Sequence, residues 1–168
     1  MKRMFAAGIL CAVLLLVGCR AKEEAVFVDP NAVTGGGYGA LYFEADGVRF
    51  GIFDEASAVM EQLPEHNGTF VGESCAFDGF DTFYFYNGFE LMVNEIRGTV
   101  RITNIRIIDD TVTTPQGLFI GMAEAELNAL LPEASQQSGV YTLQDGTCLL
   151  SVSVADGTVK DISYAPAE

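Results

Sequence analysis

Asp81-Thr82-Phe83-Tyr84-Phe85-Tyr86-Asn87-Gly88-Phe89-Glu90-Leu91-Met92-Val93-Asn94 is the stretch that decides the fold. Two runs of aromatic and branched residues flank Asn87-Gly88, a dipeptide that favours a tight type I′ hairpin turn. The runs are therefore predicted to be antiparallel neighbours. A strand with one solvated face alternates apolar and polar residues. Here both parities are aromatic, with Phe83 and Phe85 on one and Tyr84 and Tyr86 on the other. One row belongs to the core. The other meets solvent, a covering loop, a partner or a second copy of the sheet. The phenylalanines are the expected interior row. Thr82, Tyr84 and Tyr86 are then the expected partner-binding row, on the sheet face away from the helices, because tyrosine joins a large contact area to a hydroxyl.

Working outward, Leu41 to Glu44 and Val48 to Phe53 read as strands around Asp46-Gly47. Asp54 reads as an N-cap, and Val59, Met60 and Leu63 recur at helical spacing, so a short amphipathic helix is predicted over 54–63, ended by Pro64. Phe70 to Phe77 and Thr99 to Ile108 read as further strands. Leu118 to Ile120 is expected to be a strand leading into a second helix over about 122–131, stopped by Pro132. Tyr141 to Leu143, Cys148 to Val154 and Thr158 to Tyr164 complete the strands, with turns at Asp145-Gly146 and Asp156-Gly157. The alternation puts Cys75 and Cys148 on core faces, where two buried thiols are expected in preference to a disulfide.

The two halves match. Gly-Val-Arg-Phe-Gly-Ile at 47–52 faces Gly-Leu-Phe-Ile-Gly-Met at 117–122, and Leu63-Pro64-Glu65 corresponds to Leu131-Pro132-Glu133. Phe85-Tyr86-Asn87-Gly88 aligns with Leu143-Gln144-Asp145-Gly146, and Gly98-Thr99-Val100 with Gly157-Thr158-Val159. Each copy reads strand, helix, meander. A helix must bury its apolar stripe, and an antiparallel sheet is the large surface available. The expected fold is α+β in two layers, helices on one face of an antiparallel sheet, as a tandem repeat over 40–112 and 113–168.

This pattern resembles two described groups. One is the SmpA/OmlA (BamE-like) module of bacterial lipoproteins, which Gly121 to Leu131 and Gly157-Thr158-Val159-Lys160-Asp161-Ile162 fit. The other is the β-lactamase inhibitor protein-like fold of tandem helix-plus-sheet repeats. The phrases Ser74-Cys75-Ala76-Phe77-Asp78-Gly79 and Thr114-Pro115-Gln116-Gly117 are similar to those of small surface lipoproteins of Clostridia-like, Gram-positive bacteria. These resemblances imply a fold more than an activity.

The N-terminus carries an address. Lys2 and Arg3 precede an apolar run from Phe5 to Val17, about the length of a signal-peptide core. Leu16-Val17-Gly18-Cys19 resembles the bacterial lipobox. That resemblance implies removal of residues 1–18 and a diacylglyceryl thioether on Cys19, whose two or three acyl chains anchor the protein to the extracytoplasmic face of the cell membrane. Residues 19–39, with Gly35-Gly36-Gly37, read as a flexible tether.

After cleavage at Cys19 the chain has 168 − 18 = 150 residues and a formal charge of 7 − 23 = −16. Such an acidic surface excludes nucleic acid as a partner and disfavours direct adhesion to anionic headgroups. The only histidine, His66, follows a helix end and has no nucleophile motif beside it. Two separated cysteines and one histidine do not make a zinc site. Asp78-Gly79-Phe80-Asp81 and Asp109-Asp110 offer oxygens without a calcium-loop signature. Gly35 to Gly39 lacks the Lys-Ser/Thr of a phosphate loop. No catalytic residue, metal site or cofactor is assigned. The expected role is a lipid-anchored binding domain with a protein partner. An envelope assembly lipoprotein and a small extracellular hydrolase are the alternatives.

Overall fold

The computed structural model describes residues 39–167. The proposed signal peptide (1–18), Cys19 and the tether up to residue 38 lie outside the described residues.

The described chain is mostly β. A hairpin of β1 (Phe43–Ala45) and β2 (Val48–Phe50) is followed by a short helix, α1 (Ala56–Met60). A four-stranded meander follows: β3 (Gly68–Glu73), β4 (Phe80–Phe85), β5 (Phe89–Ile96) and β6 (Thr99–Ile107). A second short helix, α2 (Glu124–Leu130), precedes a second meander of β7 (Ser135–Gln137), β8 (Val140–Asp145), β9 (Cys148–Ala155) and β10 (Thr158–Pro166). The meanders join through β6 and β10 into one antiparallel sheet of eight strands, ordered β3-β4-β5-β6-β10-β9-β8-β7.

The expected two-layer helix-on-sheet fold is thereby corrected. α1 has 5 residues and α2 has 7, so neither lays a long stripe on the sheet. The residues just before each helix are taken up by strand pairing instead. Phe53 donates its amide to the Ile102 carbonyl at 2.7 Å, and the Ile102 amide donates to Asp54 at 3.0 Å. Gly121 and Met122 make the same exchange with Val159. Asp54, the expected N-cap, instead accepts the Gly51 amide at 2.8 Å and holds the preceding turn. Glu55 and Ala123 stand at the N-caps, and neither side chain caps a backbone amide of its helix. A helix this short contributes little by itself, because nucleation is costly.

The sheet is covered chiefly by the β1–β2 hairpin and by extended chain. Phe43 stacks near Phe50, Phe89 and Tyr164, at ring-centroid distances of 5.4, 5.1 and 6.2 Å. Leu41, Ile52, Phe53, Leu118 and Met122 fill in beside them, while the helices bury only Ala56, Val59 and Leu127. Leu118 to Ile120, expected as a strand, is irregular chain plugged into this core. Each fully buried large side chain is worth about 1.5–3 kcal/mol of transfer free energy, so the cover holds by apolar area rather than by helix propensity. Gln116 ties it to the sheet: its amide donates to the Ala40 and Tyr42 carbonyls at 2.9 and 3.3 Å, and its Oε1 accepts the Tyr164 hydroxyl.

The hairpin turns obey local chemistry with two differences. Asp46-Gly47, Arg97-Gly98, Ser138-Gly139 and Asp156-Gly157 all take positive φ at both residues, as a type I′ turn demands. At Asn87-Gly88 and Asp145-Gly146 only the glycine does, at φ 80° and 57°. A Cβ on Gly88 would meet Val112 and Thr111 at 2.4 and 2.5 Å, so the loop after β6 closes over this turn and requires glycine there.

Candidate interaction surfaces

Residues facing each other across antiparallel strands share a sheet face. One row therefore runs Tyr84, Leu91, Ile105, Tyr164, Leu150, Leu143. Leu91, Ile105, Tyr164 and Leu150 are buried under the hairpin and helices, which makes this the covered face. The adjacent row, Phe85, Glu90, Arg106, Ser163, Ser151 and Thr142, lies on the open face.

The aromatic rows are thus placed the other way round from the sequence expectation. Tyr84 and Tyr86 point to the covered face. Tyr86 is buried, and its ring lies parallel to Phe89 at 4.8 Å. Burial, and then the charge of Tyr84, pushes the Tyr86 phenol above its usual value. Thr82 pairs with Val93 on the same covered face. Phe83 and Phe85 point to the open face, where Phe83 pairs with Phe70 on one side and Met92 on the other. The reason is the neighbouring strand. Leu91 and Phe89 are the stronger core formers, and they carry Tyr84 and Tyr86 inward with them.

The open face has an apolar end and a polar middle. Phe70 is 58% exposed, its ring 5.9 Å from that of Phe83. Beyond Met92 the face turns polar. Arg106 meets Asp161 at 2.6 Å and Glu90 at 3.7 Å, and these carboxylates, Asp161 first, hold its guanidinium above its usual value. On the other side of Met92, away from Glu90, Thr103 sits at a bulge in β6 and donates to Asn94. Asn94 in turn donates to Asp81 at 2.6 Å and to the Phe80 carbonyl at 3.1 Å.

The covered face also has an opening. Beside α1 a groove of about 440 Å³ is lined by Met60, Tyr84, Val93 and Val100, with Glu61 on its rim. It shares Val93 and Val100 with a second hollow of about 630 Å³, which extends over Thr82 and Phe80 to Asp78, Glu95 and Arg97. Thr82 and Tyr84, two residues of the expected binding row, therefore border a cleft, but on the helix side. Hydrophobic alternation alone does not reveal this cleft.

Other candidates fall as follows. The His66 ring packs 5.0 Å from Tyr84 and 6.3 Å from Tyr86, with Nδ1 buried and without a hydrogen-bond partner. Cys148 is buried in β9, and burial, followed by the Asp145 charge, pushes its thiol up to about 12. Cys75, expected on a core face, is exposed instead, because β3 ends at Glu73 and residues 74–79 form a loop. The two cysteines are not bridged. The Asp109 carboxylate is held below its usual range by the Thr111 hydroxyl and amide. Among the described residues, no group of three or more His, Cys, Asp or Glu is placed to hold a metal, and no helix is long and apolar enough to cross a membrane.

No family model matches this chain, and no curated protein or solved structure matches it.

Proposed function

We propose that the chain is a lipid-anchored, non-catalytic interaction domain, held on the extracytoplasmic face of a cell membrane by Cys19, that binds a protein partner through the open sheet face. The observation that carries this reading is Phe70, exposed beside Phe83 at the edge of an eight-stranded sheet. Phe70, Phe83 and Met92 make an apolar centre. Glu90, Arg106 and Asp161 make a charged border, the plan of a protein–protein interface. The acidic balance of −14 for the whole chain argues against anionic lipid or nucleic acid as the thing bound there. Leu16-Val17-Gly18-Cys19 supports the anchor.

Two variants test the reading. Cys19→Ser should leave the membrane fraction on carbonate washing, and a variant that stays behind would show that the anchor lies elsewhere. Affinity capture of the intact protein from its own membrane should retrieve a protein that Phe70→Asp fails to retrieve, at an unchanged melting temperature. Equal retrieval by Phe70→Asp removes the open face from the proposal.

A further inference from the structure

The helices sit at different heights on their meanders. The segment before α2 bridges to Thr158, the first residue after the turn glycine Gly157. The segment before α1 bridges to Arg101, the third residue after Gly98. α2 therefore covers the hairpin end of its meander and α1 leaves that end bare. The second residue after each turn shows the result: Val159 is 0% exposed and Val100 is 45% exposed.

The second half also shows what fills the bare place. Tyr141 pairs with Val152, four residues before Asp156 of the turn. It is buried, and its hydroxyl donates to Glu124, the first residue of α2, at 2.7 Å. Thr82 pairs with Val93, four residues before Arg97, and so stands where Tyr141 stands. α1, set two residues further from its turn, does not bring Ala56, its first residue, to the place that Glu124 takes; Ala56 lies by Tyr84 instead. The first half thus lacks both members of the plug. The groove over Thr82, Val93 and Val100 is the space they would take.

The rim is acidic. Glu61, Asp78 and Glu95 border the groove, with Arg97 as the cation among its lining residues. Glu73 pairs with Phe80 at its outer edge. We propose that this groove receives an aromatic side chain from a basic segment of a partner protein, seated over Val100 and Thr82 as Tyr141 is seated against Val152, with the segment's lysines or arginines against the rim carboxylates. The proposal rests on the interaction role given above and adds a second, chemically defined contact on the opposite face. A buried aromatic anchor ringed by charge is how interface affinity is commonly concentrated.

The test uses the full chain in detergent and a short synthetic peptide with one Trp among lysines and leucines. The chain has no tryptophan, so the emission reports the peptide alone. Saturable binding with a blue-shifted emission is expected. Matched peptides with Trp→Ala or with every Lys→Glu should bind at least about tenfold more weakly, a loss of about 1.4 kcal/mol. Thr82→Tyr builds the second half's plug into the first and should abolish binding. Val100→Glu, which puts a charge on the groove floor, should do the same, and circular dichroism confirms that each variant is folded. Phe70→Asp should bind the peptide like the native chain. No saturable binding, equal binding by the folded Thr82→Tyr and Val100→Glu variants, or loss of peptide binding in Phe70→Asp would each overturn the groove. Capture of the native partner that survives Thr82→Tyr but is lost in Phe70→Asp overturns the groove and leaves the open-face reading standing.

Discussion

Phe53 and Gly121 hold the same backbone position in the two halves. Each takes a left-handed conformation, at φ 70° and 92°, and each donates its amide to the last strand of its own meander, at 2.7 and 2.9 Å. Phe53 accepts the strain of a non-glycine residue at positive φ because its ring is in the core, 3% exposed. The Arg101 guanidinium, donating to the Phe53 carbonyl at 2.8 Å, helps to hold it there.

This pair reverses a common order of damage. Truncating a buried phenylalanine to alanine costs about 3–5 kcal/mol, and glycine is ordinarily worse than alanine. At position 53 glycine relieves the positive φ, so Phe53→Gly should be less destabilising than Phe53→Ala by about 1 kcal/mol. Gly121→Ala should cost about 1–2 kcal/mol with no clash to blame, since nothing lies within 4 Å of its Cβ position. Urea unfolding of the three variants checks both statements, and Phe53→Ala outlasting Phe53→Gly would refute the first.

The face assignment is checked by a second pair. Tyr86 is buried against Phe89, whereas Phe70 stands in solvent. Tyr86→Ala should cost about 3 kcal/mol, as other large-to-small core changes do. Phe70→Ser should stay within about 0.5 kcal/mol. Melting curves that ranked them in the opposite order would place the phenylalanines inside.

Stability should fall in alkali. The Cys148 thiol, ordinarily near 9.0, is pushed up to about 12 by burial and then by Asp145. Burial likewise raises the Tyr164 phenol above 10.0. Above pH 9 the unfolded chain therefore releases the thiol proton while the folded chain keeps it. The unfolded state then binds fewer protons, and stability drops with rising pH. The slope is about 1.4 kcal/mol per pH unit from Cys148 between its two values, and it steepens above 10 as Tyr164 joins. Denaturant midpoints from pH 8 to 11 should show this, and Cys148→Ala should flatten the first part of the fall.

The two thiols should differ in reactivity. Cys75 lies in an exposed loop, and Cys148 is buried and protonated. Only a thiolate attacks an alkylating reagent. Iodoacetamide on the native protein, followed by peptide mass mapping, should label Cys75 within minutes and Cys148 only after unfolding. Equal labelling of the two would mean that β9 opens freely.

The sequence by itself determined most of the strands and turns, but it missed β7 and read the irregular chain from Leu118 to Ile120 as a strand. Asp46-Gly47, Asp156-Gly157 and Arg97-Gly98 mark hairpins because only a few residue types accept positive φ, and that preference acts within the dipeptide. Leu63-Pro64-Glu65 and Leu131-Pro132-Glu133 mark equivalent helix ends for the same local reason. The pairing of 47–52 with 117–122 is out of step with them. The structure sets Phe53, not Gly51, against Gly121, because the strand exchange with Ile102 and Val159 defines equivalence and a phenylalanine can be forced into a glycine's conformation.

Only the tertiary structure decided which face is covered, how long the helices are and where they sit. Alternation says that Tyr84 and Tyr86 share a face and that Phe83 and Phe85 share the other. It does not say which face meets the core, because that depends on Leu91, Ile105, Tyr164 and Leu150 across the sheet. The helices are short because the residues before them gain more from pairing with β6 and β10 than from another helical turn. The groove over Val100 follows from the two-residue difference between the bridges at Arg101 and Thr158. That difference is a register between distant segments, set by packing, and no local preference in the chain encodes it.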